Sequence, residues 1–302
     1  MSLVQPITPH LWFDTQAREA AAFYCSVFPD SKVDSVVTLH DTPSGDCDVV
    51  NFSLQGQPFM AISAGPHFKF TPAISFLVNF DPTRDPDARD RLDALWNALI
   101  DGGEAMMPLQ EYPFSKRYGW VRDRYGLSWQ LILTDGTPRP AIVPALMFTG
   151  EAYGRAEEAG AFYRSVFDGS RAGTLAKYPA GMEPDREGTV MFSDFRLGDS
   201  NWFAAMDSGH AHGFGFNEAI SFVVVCRDQA EIDRYWAQLS SVPEAEQCGW
   251  CKDRFGVSWQ VSAKVLEDLM TSGDQAKVDR VVQAFLPMHK IDVAAIEAAA
   301  AG

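Results

Sequence analysis

The 302-residue sequence has no long apolar run, no cluster of basic residues and no regular cysteine pattern. No stretch approaches the roughly 18 apolar residues that a membrane helix needs. Residues 1–9 lack the basic start and apolar core of a secretory signal. The formal net charge of -15 repels phosphate backbones and anionic lipid heads. We therefore expect neither nucleic acid nor membrane as a partner.

Cysteine is scarce and scattered. The cysteines are Cys25, Cys47, Cys226, Cys248 and Cys251, and such an odd set is not a disulfide framework. It is typical of a reducing compartment, so we expect a cytoplasmic protein. Cys248 and Cys251 have C-x-x-C spacing, but a redox pair normally sits at a helix N-terminus. Because this pair falls on a predicted strand, we interpret the spacing as coincidence.

Most catalytic motifs are missing as well. There is no P-loop, no dinucleotide-binding glycine pattern, no H-E-x-x-H and no G-x-S-x-G. His210 and His212 alternate like a metal-binding pair, but their glycine neighbours predict a flexible, exposed loop.

What the sequence does contain is an internal repeat. Three blocks that begin at Ala22, Ala73 and Gly119 return in the same order later in the chain. The third reads Gly-Trp-Val-Arg-Asp-Arg-Tyr-Gly-Leu-Ser-Trp-Gln and returns from Gly249 as Gly-Trp-Cys-Lys-Asp-Arg-Phe-Gly-Val-Ser-Trp-Gln. Ordered matches of this length predict a duplication. We place a first domain at 1–138, a second at 139–263 and a C-terminal helical extension at 264–302.

Hydrophobic periodicity predicts the pattern βαβββ twice in each repeat. In the first repeat a strand at Ile7–Phe13 precedes a helix that ends near Phe28, and three strand-like runs follow. The order restarts with a strand at Ala73–Phe80 and a helix at about Pro86–Asp101. Asp292 is predicted to cap the last helix. The predicted fold class is α+β, with four βαβββ modules in two paired domains and C-terminal helices.

Several phrases resemble one known family. Paired βαβββ modules are the architecture of the vicinal-oxygen-chelate superfamily, which includes glyoxalases, dioxygenases and bleomycin-resistance proteins. Leu11-Trp-Phe13, Ala22-Phe-Tyr24, Pro72-Ala-Ile-Ser-Phe76 and Trp129-Gln130 resemble its PhnB-like branch, and the resemblance covers nearly the whole chain. Proteins of this branch often carry the label 3-demethylubiquinone 3-methyltransferase. This sequence has no glycine-rich strand-to-helix loop suited to S-adenosylmethionine that would support the label.

The resemblance also implies where the ligands of metal-using relatives would fall. The position on the first strand falls on His10, and the position on the fifth strand falls on Ala73, which has no donor atom. The position on the eighth strand falls on Gln130, whose amide binds divalent ions more weakly than a carboxylate. The corresponding residues of repeat two are Ala145, Ala219 and Gln260. Because a catalytic metal site wants about three protein ligands, we expect no metal and no other cofactor.

The resemblance implies that Gln130 faces a cup, and strand alternation then directs a set of side chains toward the same cup. We predict a small-molecule site there, lined by His10, Trp12, Ser75, Trp120, Arg122, Ser128 and Gln130. Apolar walls with a few polar tips are the usual make-up of such sites. The alternatives are that the tryptophans are ordinary core residues and that Arg122 only pairs with Asp123. The same alternation predicts that Trp129 packs between sheet and helices.

Three hypotheses about function follow. The first is a metal-independent protein that binds a small molecule between modules, as bleomycin-resistance relatives do. The second is a metal-dependent lyase, isomerase or dioxygenase that uses His10 and Gln130, with His67 in a nearby loop. The third is structural: repeat two completes a sheet or closes the pocket of repeat one, and the chain can form a homodimer. The residues alone leave open the ligand and whether the cups form within or between repeats.

Overall fold

The computed structural model describes residue 3 and residues 6–302, so the prediction for residues 1–9 lies partly outside the described residues. The strands of the first repeat are β1 (Thr8–Phe13), β2 (Lys32–Thr42), β3 (Gly45–Leu54), β4 (Gln57–Ser63), β5 (Ile74–Phe80), β6 (Glu104–Tyr112), β7 (Ser115–Arg122) and β8 (Ser128–Leu133). Those of the second are β9 (Ile142–Phe148), β10 (Arg171–Lys177), β11 (Val190–Leu197), β12 (Asn201–Asp207), β13 (Ile220–Cys226), β14 (Trp250–Lys252) and β15 (Ser258–Ala263). The helices are α1 (Ala17–Val27), α2 (Ala88–Ile100), α3 (Ala156–Val166), α4 (Gln229–Leu239), α5 (Lys264–Met270), α6 (Gln275–Phe285) and α7 (Val293–Ala301).

The elements confirm the predicted order of modules, with one difference. The first three modules each contain a strand, a helix and three strands. In the fourth, a 3-10 turn at Pro243–Ala245 stands where the first repeat has β6. Residues 240–248, between α4 and Gly249, cannot hold both a nine-residue strand such as β6 and the turns on either side of it. The described residues of the fourth module therefore hold two strands after their helix.

The two sheets each combine both repeats. Sheet A has seven strands in the order β14-β15-β13-β1-β4-β3-β2, and sheet B has eight in the order β10-β11-β12-β9-β5-β8-β7-β6. In sheet A, β1 pairs antiparallel with β13, so that His10 lies opposite Ser221. In sheet B, β5 pairs antiparallel with β9, so that Ser75 lies opposite Ala145. The paired modules are confirmed, and the pairing runs between the repeats.

The main core lies between the sheets and the helices. Phe59 of sheet A and Phe76 of sheet B meet with ring centroids 5.1 Å apart. Trp129 is fully buried there and lies 5.3 Å from Tyr24 of α1, as predicted. Burial of such large aromatic side chains contributes much of the free energy of folding.

Two buried aspartates explain why the longest sequence block recurs. Asp123 accepts hydrogen bonds from the Tyr24 hydroxyl at 2.8 Å and the Trp129 indole at 2.9 Å. It also accepts from the backbone N–H groups of Tyr125 and Leu127. Asp253 has the same partners in repeat two, among them the Tyr163 hydroxyl. The block is therefore conserved between the repeats for its part in the core.

The C-terminal helices cover part of sheet A. Val278 and Val282 of α6 pack against Leu39 and Cys47, on the face opposite the main core. Asp292 accepts a hydrogen bond from the Ala295 N–H, which confirms it as the N-cap of α7. None of the helices in the described part of the chain has the length and apolar character needed to cross a membrane.

Candidate functional site

The face of sheet A opposite the main core carries His10 and Trp12 of β1. The register places polar and aromatic side chains of repeat two beside them on this face. These neighbours are Ser221 of β13, Trp250 and Lys252 of β14, and Ser258 and Gln260 of β15. We call this face, with these residues, cup A.

The corresponding face of sheet B carries the predicted residues of repeat one. They are Ser75 of β5, Trp120 and Arg122 of β7, and Ser128 and Gln130 of β8. Beside them lie Ala145 of β9 and Ala204 of β12. We call this face cup B.

The prediction of one pocket with seven residues is therefore wrong. Sheet A holds His10 and Trp12, and sheet B holds the other five. The physical reason is that β1 forms its ladder with β13 of repeat two and not with β5 of its own repeat. The residues that complete cup A are Ser221, Trp250, Lys252, Ser258 and Gln260, which are the repeat-two counterparts of the five predicted ones. The internal repeat was the signal that could have found them.

Cup A contains two buried polar atoms without a hydrogen-bond partner: His10 Nδ1 and Ser258 Oγ. Ser221, which lies opposite both residues, accepts from Gln260 Nε2 at 3.0 Å. His10 is 3% exposed, and burial lowers its pKa to about 3. The imidazole is therefore neutral at physiological pH. Buried polar atoms without a hydrogen-bond partner are rare in proteins.

The two cups orient equivalent tryptophans differently. In cup A, Trp250 lies edge-on to the His10 ring, with centroids 5.3 Å apart, and 6.0 Å from Trp12. In cup B, the counterpart Trp120 donates from Nε1 to Ser128 Oγ at 2.6 Å. Ser258 Oγ has no equivalent indole donor, because the Trp250 ring is turned toward His10.

The polar groups of cup B are connected to one another. The Tyr118 hydroxyl donates to Gln130 Oε1 at 2.7 Å, and Gln130 Nε2 donates to Ser75 Oγ at 2.8 Å. Arg122 pairs with Glu104 at 2.8 Å. Because Asp123 is held in the core, the alternative that Arg122 pairs with Asp123 is wrong.

Two polar contacts hold side chains at the rim of cup A. Lys252 pairs with Glu218 at 2.6 Å, and the Trp12 indole donates to Gly65 O at 2.9 Å.

A cavity of about 300 Å³ lies under α5, and its walls include Thr8 and Met60, which flank His10 on its face of the sheet. His67 is exposed, with its ring 6.2 Å from Trp12.

The residues of neither cup fit a catalytic metal ion. The implied ligand positions meet as His10, Ala219 and Gln260 in sheet A, and as Ala145, Ala73 and Gln130 in sheet B. The set in sheet A lacks a donor at one of its three positions and the set in sheet B at two, and each has an amide in place of a carboxylate. Within residue 3 and residues 6–302, no group of three His, Cys, Asp or Glu side chains is placed to hold a metal. The metal site built from His10 and Gln130 is wrong because the two lie on different sheets.

The structure also places the C-x-x-C cysteines and the two alternating histidines. Cys248 and Cys251 are free thiols, and burial raises the pKa of Cys248 to about 11, which disfavours the reactive thiolate. Cys248 lies in the turn before β14 and not on the strand. His210 is exposed, as predicted, while His212 Nε2 shares a hydrogen bond with Ser208 Oγ at 2.7 Å.

Comparison with known proteins agrees with this architecture. Residues 5–132 and 140–262 each match the family described as 3-demethylubiquinone-9 3-methyltransferase. The PhnB protein from Bacillus cereus is 36% identical over 43% of this chain and 100% of its own, with a TM-score of 0.39. Glyoxalase I from Zea mays is 11% identical over 86% of this chain and 92% of its own, with a TM-score of 0.52. No curated protein is significantly similar to the sequence.

Paired modules and two mixed sheets, each with a polar cup, give this chain a glyoxalase-like fold. The chain belongs to the 3-demethylubiquinone-9 3-methyltransferase family, its PhnB-like branch, with one family unit in each repeat. The family resemblance predicted from the sequence is confirmed.

Proposed function

We propose that the protein binds a small, neutral, polar molecule in cup A, without a catalytic metal. The observation that carries the proposal is the pair of buried, unpartnered atoms His10 Nδ1 and Ser258 Oγ on one face of sheet A. Each unpaired buried group costs on the order of 1–3 kcal/mol of folding free energy. A ligand that bonds to both would recover this energy on binding.

The charges around cup A favour a neutral ligand. Burial keeps His10 neutral, because it lowers the pKa to about 3. Lys252 is neutralised by Glu218 at 2.6 Å. A charged ligand would lose its hydration without gaining a free counter-charge there. Trp12, Trp250 and Met60 supply half-buried apolar walls, which suit the body of a small organic molecule.

Trp250 controls access in this proposal. The orientation of Trp120 in cup B shows a second position for the indole, with its N–H on the serine hydroxyl. If Trp250 turned in the same way, it would leave the His10 ring and uncover the face that carries Ser221. Ligand entry then requires a rotamer change of one side chain, which is fast on the timescale of binding.

Ligand-observed NMR with a set of neutral heteroaromatic amides tests the proposal. Fragments should bind the wild-type protein and lose binding in His10→Phe and Ser258→Ala. The matched control is Ser128→Ala, which removes the counterpart hydroxyl in cup B and should leave binding unchanged. The assignment to cup A would be refuted if no fragment bound the wild-type protein. It would also be refuted if the fragments that bind did so equally in all four proteins.

A further inference from the structure

We infer a second binding site in cup B, for an organic anion with an apolar body and one carboxylate. It uses none of the residues of cup A, so it goes beyond the function proposed above. The shape of the floor gives the first argument. Ala145 and Ala204 pair at the positions that His10 and Met60 occupy in cup A. Two methyl side chains in place of an imidazole and a thioether leave the floor of cup B deeper.

The floor of cup B is formed by buried apolar side chains. Leu77 and Val143 are buried together with Ala145 and Ala204 in one cluster. Half-buried side chains line its walls: Ile132, Phe192, Trp202 and Met206. Apolar side chains that are only half-buried, like those of the walls, contribute free energy when an apolar group covers them.

One end of the cup carries arginines. Arg139 lies over the Trp202 ring, 5.4 Å from its centroid, and pairs with Asp194 at 2.7 Å. Asp194 also accepts from the Thr174 N–H at 2.7 Å. The close approach depends on Gly173, where an added Cβ would lie 2.0 Å from the Asp194 carboxylate. Arg139 is therefore fixed and neutralised, as part of the wall.

Arg196 differs from Arg139 in that no ion pair holds it among the residues that the structure describes. It lies opposite Trp202 on the same face, and its Nε is buried without a hydrogen-bond partner. On its other side it faces Arg171 of β10. Like charges directly opposite each other destabilise a sheet, and a buried guanidinium atom without an acceptor adds to that cost. An anion at Arg196 removes both penalties, because it accepts from the unpaired Nε and offsets the charge of the facing Arg171.

The headgroup follows from the donor. A guanidinium presents Nε–H and Nη–H as a planar fork, which matches the two oxygens of a carboxylate. With the carboxylate at Arg196, an attached chain or ring lies along Trp202 toward Ala204 and Ala145. The site therefore selects for an amphiphilic monoanion over a neutral or cationic molecule of equal size.

Calorimetric titration with octanoate, octan-1-ol and octylammonium tests this inference. We expect octanoate to bind the wild-type protein at least tenfold more tightly than octan-1-ol, and octylammonium more weakly than either. Arg196→Gln should lower the octanoate affinity at least tenfold and leave octan-1-ol unchanged. The control is Arg84→Gln, which removes one exposed arginine that pairs with Asp81 and should change neither.

A second variant tests the apolar floor of cup B without changing any charge. Ala204→Phe fills the floor and should abolish binding of both octanoate and octan-1-ol. Equal affinity of the wild type for octanoate and octan-1-ol, or full octanoate binding in Arg196→Gln or Ala204→Phe, would overturn the inference. His10→Phe should leave octanoate binding intact, so that a failure of the cup A proposal is distinguishable from a failure of this one.

Discussion

His10 of the first repeat lies directly opposite Ser221 of the second, in the antiparallel ladder between β1 and β13. This relationship decides which side chains share a cup. It joins His10 to Gln260 and Trp250 of repeat two and separates it from Gln130 of its own repeat. The duplication therefore provides two cups at equivalent positions, and their residues have diverged: an imidazole in one stands where the other has a methyl group.

The burial of His10 should make the stability of the fold depend on pH. Its pKa in the folded chain is about 3, below the ordinary value of 6.5. The contribution is therefore fully present above pH 6.5 and is lost as the pH falls toward 3. At pH 5 the loss is about 2 kcal/mol.

Urea unfolding of the wild type and His10→Gln at pH 7.5 and pH 5.0 measures this effect. Glutamine does not titrate, so the variant should lose about 2 kcal/mol less between the two pH values. An equal loss in both proteins would show that His10 is solvated in the folded chain.

The equivalent serines should respond in opposite directions to removal of their hydroxyls. Ser128→Ala deletes the acceptor of the Trp120 indole and should destabilise by about 1 kcal/mol. Ser258→Ala deletes a buried hydroxyl without a partner, and should be neutral or stabilising by up to about 1 kcal/mol in the ligand-free protein. Thermal unfolding of both variants compares them. A Ser258→Ala variant as unstable as Ser128→Ala would contradict the description of cup A.

The buried aspartates should be needed for folding. Asp123→Asn places an amide N–H₂ among four hydrogen-bond donors, so at least one donor loses its acceptor. We expect a loss of about 3 kcal/mol, and a similar loss for Asp253→Asn.

The control for this prediction is Asp90→Asn, a substitution of the same type on the exposed side of α2. It should change the unfolding free energy by less than about 0.5 kcal/mol. Equal unfolding midpoints for Asp123→Asn and Asp90→Asn would be inconsistent with the buried hydrogen-bond network.

Much of the fold was predictable because local patterns determine it. β1 (Thr8–Phe13) begins one residue after the start of the predicted strand and ends where predicted, and α2 begins and ends within two residues of the predicted helix. Trp129 was assigned to the core because alternation places it on the face opposite Gln130, which the family resemblance turns toward the cup.

The partner of the first strand of each module was not predictable from local patterns. Ala-Ile-Ser-Phe occurs at residues 73–76 and again at 219–222, so β5 and β13 offer β1 nearly the same edge. Local propensity and alternation cannot choose between two identical edges, because the choice depends on how the whole chain packs. That single ambiguity put Ser75 and Gln130 in the wrong cup, although their counterparts Ser221 and Gln260 are in the right one.

The same limit applies to the difference between the cups. The sequence shows Trp120 and Trp250 at equivalent positions, and nothing local indicates that one bonds to serine while the other turns to His10. Rotamers in a crowded site depend on neighbours from other strands. The unpartnered atoms of cup A, and of Arg196 in cup B, therefore became visible only in three dimensions.

The pairing of β1 with β13 is tested most directly by a disulfide. Thr8 and Val223 are register partners across the two repeats, at a separation typical of strand pairs that a disulfide can bridge. The test variant is Thr8→Cys with Val223→Cys. The matched control is Thr8→Cys with Leu77→Cys, because Leu77 is the counterpart of Val223 in repeat one. After mild oxidation, peptide mass spectrometry should find the link between positions 8 and 223 in the first double variant and no link between positions 8 and 77 in the second. A link between positions 8 and 77, with none between 8 and 223, would show that the cups form within each repeat and would contradict this account.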